Sequence, residues 1–396
     1  MNGNSYSFPL SAFILGMSYL FWKYMQHKWS TAQKLPMPYS KQTSWIWGHE
    51  LEIFQHEAYE MYIEWAASVG LVYRTKAALF QSNIIIVGDN VAAHHILQNA
   101  YSYVKAAGYR RVITRLIGKG LAGAEGEDHR YQRKLLAPAF TSGTVEAMTD
   151  DIISCVDQMT RNLRSAVETT NNDVLDFVPI MSACTLDIIG RVCFGHDFKG
   201  GESSEAKAII SAWHHDVAVS RTFAGFLAPI LINIFPWITR LPIPAFRDGV
   251  VGRTIHQLAG KLITDSSENA DAFHGKDILS ILINRNNSEA RLTTTELLDN
   301  IATFLVAGHE TIAFILLHVA RNLSIQSKLQ QEIRTGTSVD YNRILELEYL
   351  NAVVKEGLRL HPVGATPDRI ALYDDVIPLN QALRTESGGN GILILC

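Results

Sequence analysis

The stretch from Leu292 to Leu317 limits the fold more than any other part of the chain. Thr293 and Glu296 have the spacing of a capping box, which starts a helix. Leu297, Ile301, Leu305, Ile312 and Leu316 then recur at helical intervals, so the pattern predicts a long apolar helix. Inside it sits Ala307-Gly308-His309-Glu310-Thr311. A glycine in a helix interior costs about 1 kcal/mol relative to alanine, and three adjacent polar side chains add a burial cost. Ala307 and Thr311 are four apart and share a face. A small residue and a hydroxyl on that face are suited to bordering a flat ligand. A kinked core helix, its threonine bonded to the carbonyl four residues back, would use the same residues. Helix physics alone leaves these two readings level.

The rest of the chain predicts a mainly α fold with a small β sheet. Residues 59–69 read as a helix, and Leu71–Lys76 and Ser82–Val87 as two early strands. Helical patterns dominate from about Val91, with Val145–Val167, Val178–Phe194, Ala206–Val219 and Val251–Ser267 as the clearest. The chain has 396 residues, 47% of them hydrophobic and 19% charged, which is a globular and not a disordered composition. A net charge of −4 gives no electrostatic reason to expect nucleic acid. Cys155, Cys184, Cys193 and Cys396 are too few and scattered for a secreted disulfide framework. The first three lie in apolar helical patterns and read as buried small hydrophobes.

The first 22 residues carry no Asp, Glu, Lys or Arg, and Phe8–Met25 is mostly apolar. That length is at the short end for a membrane helix. Lys23 and Lys28 on its C-terminal side predict that the rest of the chain faces the cytoplasm. A cleaved signal peptide fits less well, because a basic start and a small-residue cleavage site are missing. The expected organisation is an anchor over 1–25, a proline-containing linker over 26–45 and a catalytic domain over 46–396. Pro36 and Pro38 would stiffen the linker into a stalk. A second apolar stretch, Phe226–Trp237, is too short to span a bilayer comfortably and reads first as core, second as a membrane-dipping or substrate-entry surface.

Two further constellations carry polar chemistry. Glu356 and Arg359 are three apart on a helical pattern and can pair; alone, such a pair is usually a solvated surface bridge. Leu360-His361-Pro362 follows, and the proline ends the helix. Upstream, His129 and Arg133 are four apart in a charged helical segment that leads to Pro138-Ala139-Phe140. Two N–H donors on one face suit a carboxylate, although for the residues alone a solvated basic face is the preferred explanation.

Taken in order, these pieces resemble the cytochrome P450 family of haem-thiolate monooxygenases. The resemblance covers nearly the whole chain, and Ala307–Thr311 with Glu356–Arg359 downstream is its most specific part. It implies the cytochrome P450 fold and a haem b cofactor. By this resemblance Thr311 would hydrogen-bond iron-bound dioxygen and Glu310 would help relay protons, in a helix opened locally over the haem at Ala307 and Gly308. His129 and Arg133 would hold haem propionates, with histidine where the family has tryptophan, and Arg369 would be another propionate partner. Glu356 and Arg359 would form a buried structural pair with a second arginine from downstream. The reaction implied is insertion of one oxygen atom of dioxygen into a small apolar substrate. The partner implied is an NADPH-dependent flavoprotein reductase, and the location a single-pass anchor in the endoplasmic reticulum membrane.

In the family the iron ligand is a cysteine in a late Phe-x-x-Gly-x-Arg-x-Cys-x-Gly loop. No such segment occurs in these 396 residues, so no metal ligand is assigned, and the fold is expected to be incomplete at its C-terminus. Thiolate ligation favours cleavage of the O–O bond, so the expectation is weak haem retention by the chain as written. Two alternatives follow: an inactive fragment, and a haem-free membrane-anchored interaction protein.

Overall fold

The computed structural model describes residues 31–57, 59–169, 175–240, 249–268, 278–279, 292–334, 340–360, 366–381, 383–384, 390–391 and 393–395. The anchor expected over 1–25 lies outside them. The chain divides into two compact units, the first made of Met1–Ala106 with Arg369–Cys396 and the second of Ala107–Asp368.

The first unit begins with helices α1 (Glu50–Gln55) and α2 (Glu60–Val69), followed by strands β1 (Val72–Thr75) and β2 (Ile84–Val87). The two strands pair antiparallel, from Val72 opposite Val87 to Thr75 opposite Ile84, as the sequence pattern predicts. All four β1 residues are buried, Arg74 included. The guanidinium is satisfied there: Nε donates to the Leu35 carbonyl at 2.9 Å and Nη1 to Gln33 Oε1 at 2.8 Å. Arg74 N–H also donates to the Pro36 carbonyl. The proline stretch expected to stiffen the linker thus runs beside β1, with Leu35 2% exposed.

Helix α3 (Asn90–Gln98) is capped by Asp89, whose Oδ1 accepts from Val91 N–H and Ala92 N–H. Strand β3 (Tyr103–Lys105) pairs with β4 (Arg369–Ala371), and β5 (Asp375–Ile377) pairs with β8 (Leu393–Leu395). Between the last two, β6 (Leu383–Arg384) pairs with β7 (Asn390–Gly391). The single early sheet expected from sequence is thus four separate two-stranded pairs among the described residues. The β1–β2 pair joins neighbours early in the chain and was legible from the local pattern. Strand β3 pairs far along the chain, from Tyr103 opposite Ala371 to Lys105 opposite Arg369, and so short a strand leaves no local periodicity.

The second unit is helical. It runs α4 (Ala107–Ile117), α5 (Gly126–Leu136), α6 (Ser142–Ala147), α7 (Thr149–Thr169), α8 (Val178–Phe194), α9 (Ser204–Ser220), α10 (Phe223–Ile234) and α11 (Val250–Glu268). After these come α12 (Thr294–Arg321), α13 (Leu323–Arg334), α14 (Tyr341–Glu346) and α15 (Glu348–Leu360). The core gathers Leu297, Ile301, Ala302 and Leu305 of α12 with Leu186, Cys193 and Phe194 of α8 and Val251, Ile255 and Ala259 of α11. The helices read over 178–194, 206–219 and 251–267 are all present. The pattern over 145–167 is instead two helices broken at Met148. Met148 N–H turns back to the Val145 carbonyl at 3.1 Å, and Asp150 and Asp151 occupy the first turn of α7, where a helix favours negative charge.

The apolar stretch over 226–237 is mostly core: Phe226, Ala228, Ile230 and Ile232 are buried in α10, while Phe235 and Trp237 beyond its end are exposed. No single described helix is long and apolar enough to cross a membrane. Helices α9 and α10, bent by 81° at their junction, satisfy length and composition only as a pair.

Candidate functional site

Helix α12 starts as its sequence predicts. Thr293 Oγ1 accepts from Glu296 N–H at 3.2 Å, and Glu296 Oε2 accepts from Thr293 N–H at 2.7 Å. The backbone is helical without interruption through the Ala307–Thr311 segment, so Gly308 does not open it. Its bare face is used for packing instead. A Cβ at Gly308 would lie 2.2 Å from Cγ1 and 2.3 Å from Cδ1 of Ile189, so the glycine admits α8. Ala307, by contrast, is exposed, although Leu297, Ile301, Ala302 and Leu305 on the same helix are buried. The side chains of His309, Glu310 and Thr311 lie outside the described set.

The face carrying Ala307 continues toward the helix start through Thr303 and Asn300, at intervals of four and three residues. There it is closed. Residues 118–121, between α4 and α5, lie on it: Lys119 N–H donates to Asp299 Oδ2 at 2.7 Å and Leu121 N–H to Asn300 Oδ1 at 2.9 Å. Gly118 and Gly120 permit this approach. A Cβ on Gly118, whose φ is +77°, would sit 2.0 Å from Asp299 Oδ1, and one on Gly120 would sit 2.5 Å from the Asp299 carbonyl oxygen. On the other side of Asp299, His256 Nε2 of α11 is 3.2 Å from Oδ1. The face is therefore covered at Asn300 and Thr303 and open at Ala307, about 6 Å beyond Thr303 along the axis at 1.5 Å per residue.

Helix α5 is anchored to the same closed end. Gln132, 3% exposed, accepts from Asn300 Nδ2 at 3.0 Å and donates to the Lys119 carbonyl at 3.2 Å. His129 is half-buried and Arg133 exposed, one turn apart on this helix. Sequence reasoning singled out His129 and Arg133 and missed Gln132, Asn300 and Asp299. The available signals were an amide on an otherwise charged helix, and an Asp-Asn pair opening an apolar one.

Arg369 begins β4 in the first unit, opposite Lys105, and is half-buried. Glu356 and Arg359 do meet, with Nε to Oε2 at 2.7 Å and Nη2 to Oε1 at 2.6 Å. They are not buried as the resemblance implies: their side chains are 51% and 66% exposed. Helix α15, which carries them, is capped by Glu332 of α13, whose Oε1 and Oε2 accept from Tyr349 N–H at 2.7 Å and Leu350 N–H at 2.9 Å. The three described cysteines are buried. Burial pushes the Cys155 thiol up to about 12 and the Cys184 thiol up to about 11, so both are neutral thiols at ordinary pH. Among the described residues no cluster of three or more metal-binding side chains occurs.

The family model of cytochrome P450 matches residues 38–380. The chain belongs to the cytochrome P450 family. It is 29% identical over 346 residues to cytochrome P450 monooxygenase claP of Ampulloclitocybe clavipes, covering 83% of this chain and 64% of that protein. It is 28% identical to cytochrome P450 monooxygenase 205 of Postia placenta, covering 89% of this chain and 68% of the relative. A more distant likeness, 24% over 390 residues, is to cytochrome P450 monooxygenase ptmK of Penicillium ochrochloron. The chain spans 64% of the length of the first of these relatives.

Family membership implies haem, and the residues of the second unit fit it. Helix α12 closes its polar face under residues 118–121 and exposes Ala307, a small side chain, further along the same face. The adjoining helix α5, fixed to that closed end, brings an imidazole and a guanidinium suited to carboxylates.

Proposed function

We propose that this cytochrome P450 is a haem- and dioxygen-dependent monooxygenase acting on a small apolar organic molecule. The observation that carries the proposal is the opening of the α12 face at Ala307, beside a helix bearing His129 and Arg133. Bound haem would supply the activation of dioxygen and the transfer of one oxygen atom to the substrate. The protein's own part is positioning and proton handling. His129 and Arg133 would bind the propionates through charge-assisted N–H donors; Arg369 takes its proposed propionate role from the family resemblance alone. Ala307 would leave room for the ring. Thr311 and Glu310 would take their roles from the motif: a hydroxyl that donates a hydrogen bond, and a carboxyl that relays a proton to it.

We place the protein at the endoplasmic reticulum membrane, with its folded part in the cytoplasm. The support is the uncharged start of the sequence, the apolar run Phe8–Met25 and the lysines that follow it. Electrons would come from an NADPH-dependent flavoprotein reductase. The test is reconstitution of the full-length protein with hemin, reductase and NADPH under isotope-labelled dioxygen, with apolar candidate substrates. One labelled oxygen atom in the product supports the proposal. Product oxygen derived from water, or NADPH consumption that no candidate substrate increases, counts against it.

A further inference from the structure

Gln132 is an uncharged amide on a helix whose remaining polar residues are largely charged, and it is nearly fully buried. Both ends of its side chain are used: Nε2 donates to the Lys119 carbonyl and Oε1 accepts from Asn300 Nδ2. Asn300 is 0% exposed. Its Oδ1 accepts from Leu121 N–H at 2.9 Å, and its Nδ2 also donates to the Glu296 carbonyl at 2.8 Å. Reversing either amide would set donor against donor or oxygen against oxygen, so the network accepts one arrangement.

Core packing alone does not call for such a pair. Leu136, one turn further along α5, is 1% exposed and already buries that face. Apolar contact is non-directional and tolerates sliding, whereas a paired amide fixes both the axial and the rotational setting of two helices. On α5 the fixed point is three residues from His129 and next to Arg133. On α12 it lies two turns before Ala307, on the same face.

We propose that Gln132 and Asn300 are positioning residues, which set the His129–Arg133 donor pair in register with the open face of α12 for a ligand bearing carboxylates. This rests on the haem reading given above. The test is a mutant cycle on the full chain, read as the dissociation constant of hemin from tryptophan quenching, with amide hydrogen exchange recorded for each variant. Gln132→Ala is expected to weaken hemin binding about three- to ten-fold in the native background. It should have little further effect in the His129→Ala/Arg133→Ala background, and the Lys119 and Leu121 amides should exchange faster. Gln132→Asn keeps the amide but shortens its reach; it is the milder variant should Gln132→Ala fold poorly, and it should show the same non-additivity. Equal losses in both backgrounds would overturn the positioning role while leaving the haem reading in place. Unchanged hemin binding in His129→Ala/Arg133→Ala alone would remove the haem reading, and this proposal with it.

Discussion

His95 and Asp375 are 280 positions apart in the chain, yet His95 Nε2 lies 2.8 Å from Asp375 Oδ2. Tyr103 Oη donates to the same oxygen at 2.7 Å. One carboxylate thus ties α3 and β3 to β5 and holds the late strands onto the early part of the first unit. The hydrogen bonds from His95 and then Tyr103 hold the Asp375 carboxyl below its usual 3.8. Burial first, and then the bond to Asp375, pushes the Tyr103 hydroxyl up, so it remains a donor.

The sign of the resulting pH dependence follows from linkage. Asp375 has a folded-state value below its unfolded one, so its contribution is complete above 3.8 and is lost as pH falls through the depressed value. Asp375→Asn should therefore lower the melting temperature near neutral pH, and the gap from the native protein should shrink as the pH falls below 3.8. Circular-dichroism melts on either side of that value check it. A gap independent of pH would show that the carboxylate charge is not what holds these strands.

Gly308 and Ile189 give a prediction whose sign reverses with background. An alanine at 308 gains about 1 kcal/mol of helix propensity but presses its Cβ onto Ile189, and overpacking typically costs about 1–3 kcal/mol. Gly308→Ala should be neutral to destabilising in the native chain, by up to about 2 kcal/mol. Combined with Ile189→Ala, which removes both crowded atoms, the same change should become stabilising. Urea denaturation of the four proteins measures this.

Glu332 caps the helix that carries Glu356 and Arg359 with two backbone bonds. Loss of a cap costs about 0.5–2 kcal/mol. Glu332→Ala should destabilise the protein by about that amount, and Glu332→Gln, which keeps one acceptor but loses the favourable charge at the helix start, should fall between the two. The same denaturation experiment reads the order of the three proteins.

The buried thiols yield a chemical prediction. With Cys155 pushed up to about 12 and Cys184 up to about 11, almost no thiolate is present at neutral pH. Neither residue should be alkylated by iodoacetamide in the folded chain, and both should react once the chain is unfolded. Peptide-resolved mass spectrometry after brief labelling tests each cysteine separately.

Much of the second unit was legible in the sequence because long helices repeat their apolar positions locally. The Thr293–Glu296 capping box and the span 178–194 were read from spacing alone and are found in place. The break at Met148 was not legible, since apolar periodicity continues across it. The pairing of β3 with β4 was hidden for the opposite reason: each strand is three residues long and takes its register from a partner far along the chain. At the proposed site, His129, Arg133, Ala307 and Gly308 were singled out through motif chemistry. Their supports were not, because the use of Gln132, Asn300 and Asp299 depends on a glycine-bearing segment folding across α12. The exposure of Glu356 and Arg359 was equally invisible, because spacing predicts a pair and says nothing of its surroundings.

The central claim is that the α12 face opening at Ala307, with His129 and Arg133 beside it, was shaped for a porphyrin. Hydrogen exchange of the chain with and without excess hemin tests this most directly. The account predicts saturable binding, with protection gained on α5 around residues 129–133 and on α12 from Thr303 onward. Protection confined to other helices, or the absence of any saturable change, would contradict it.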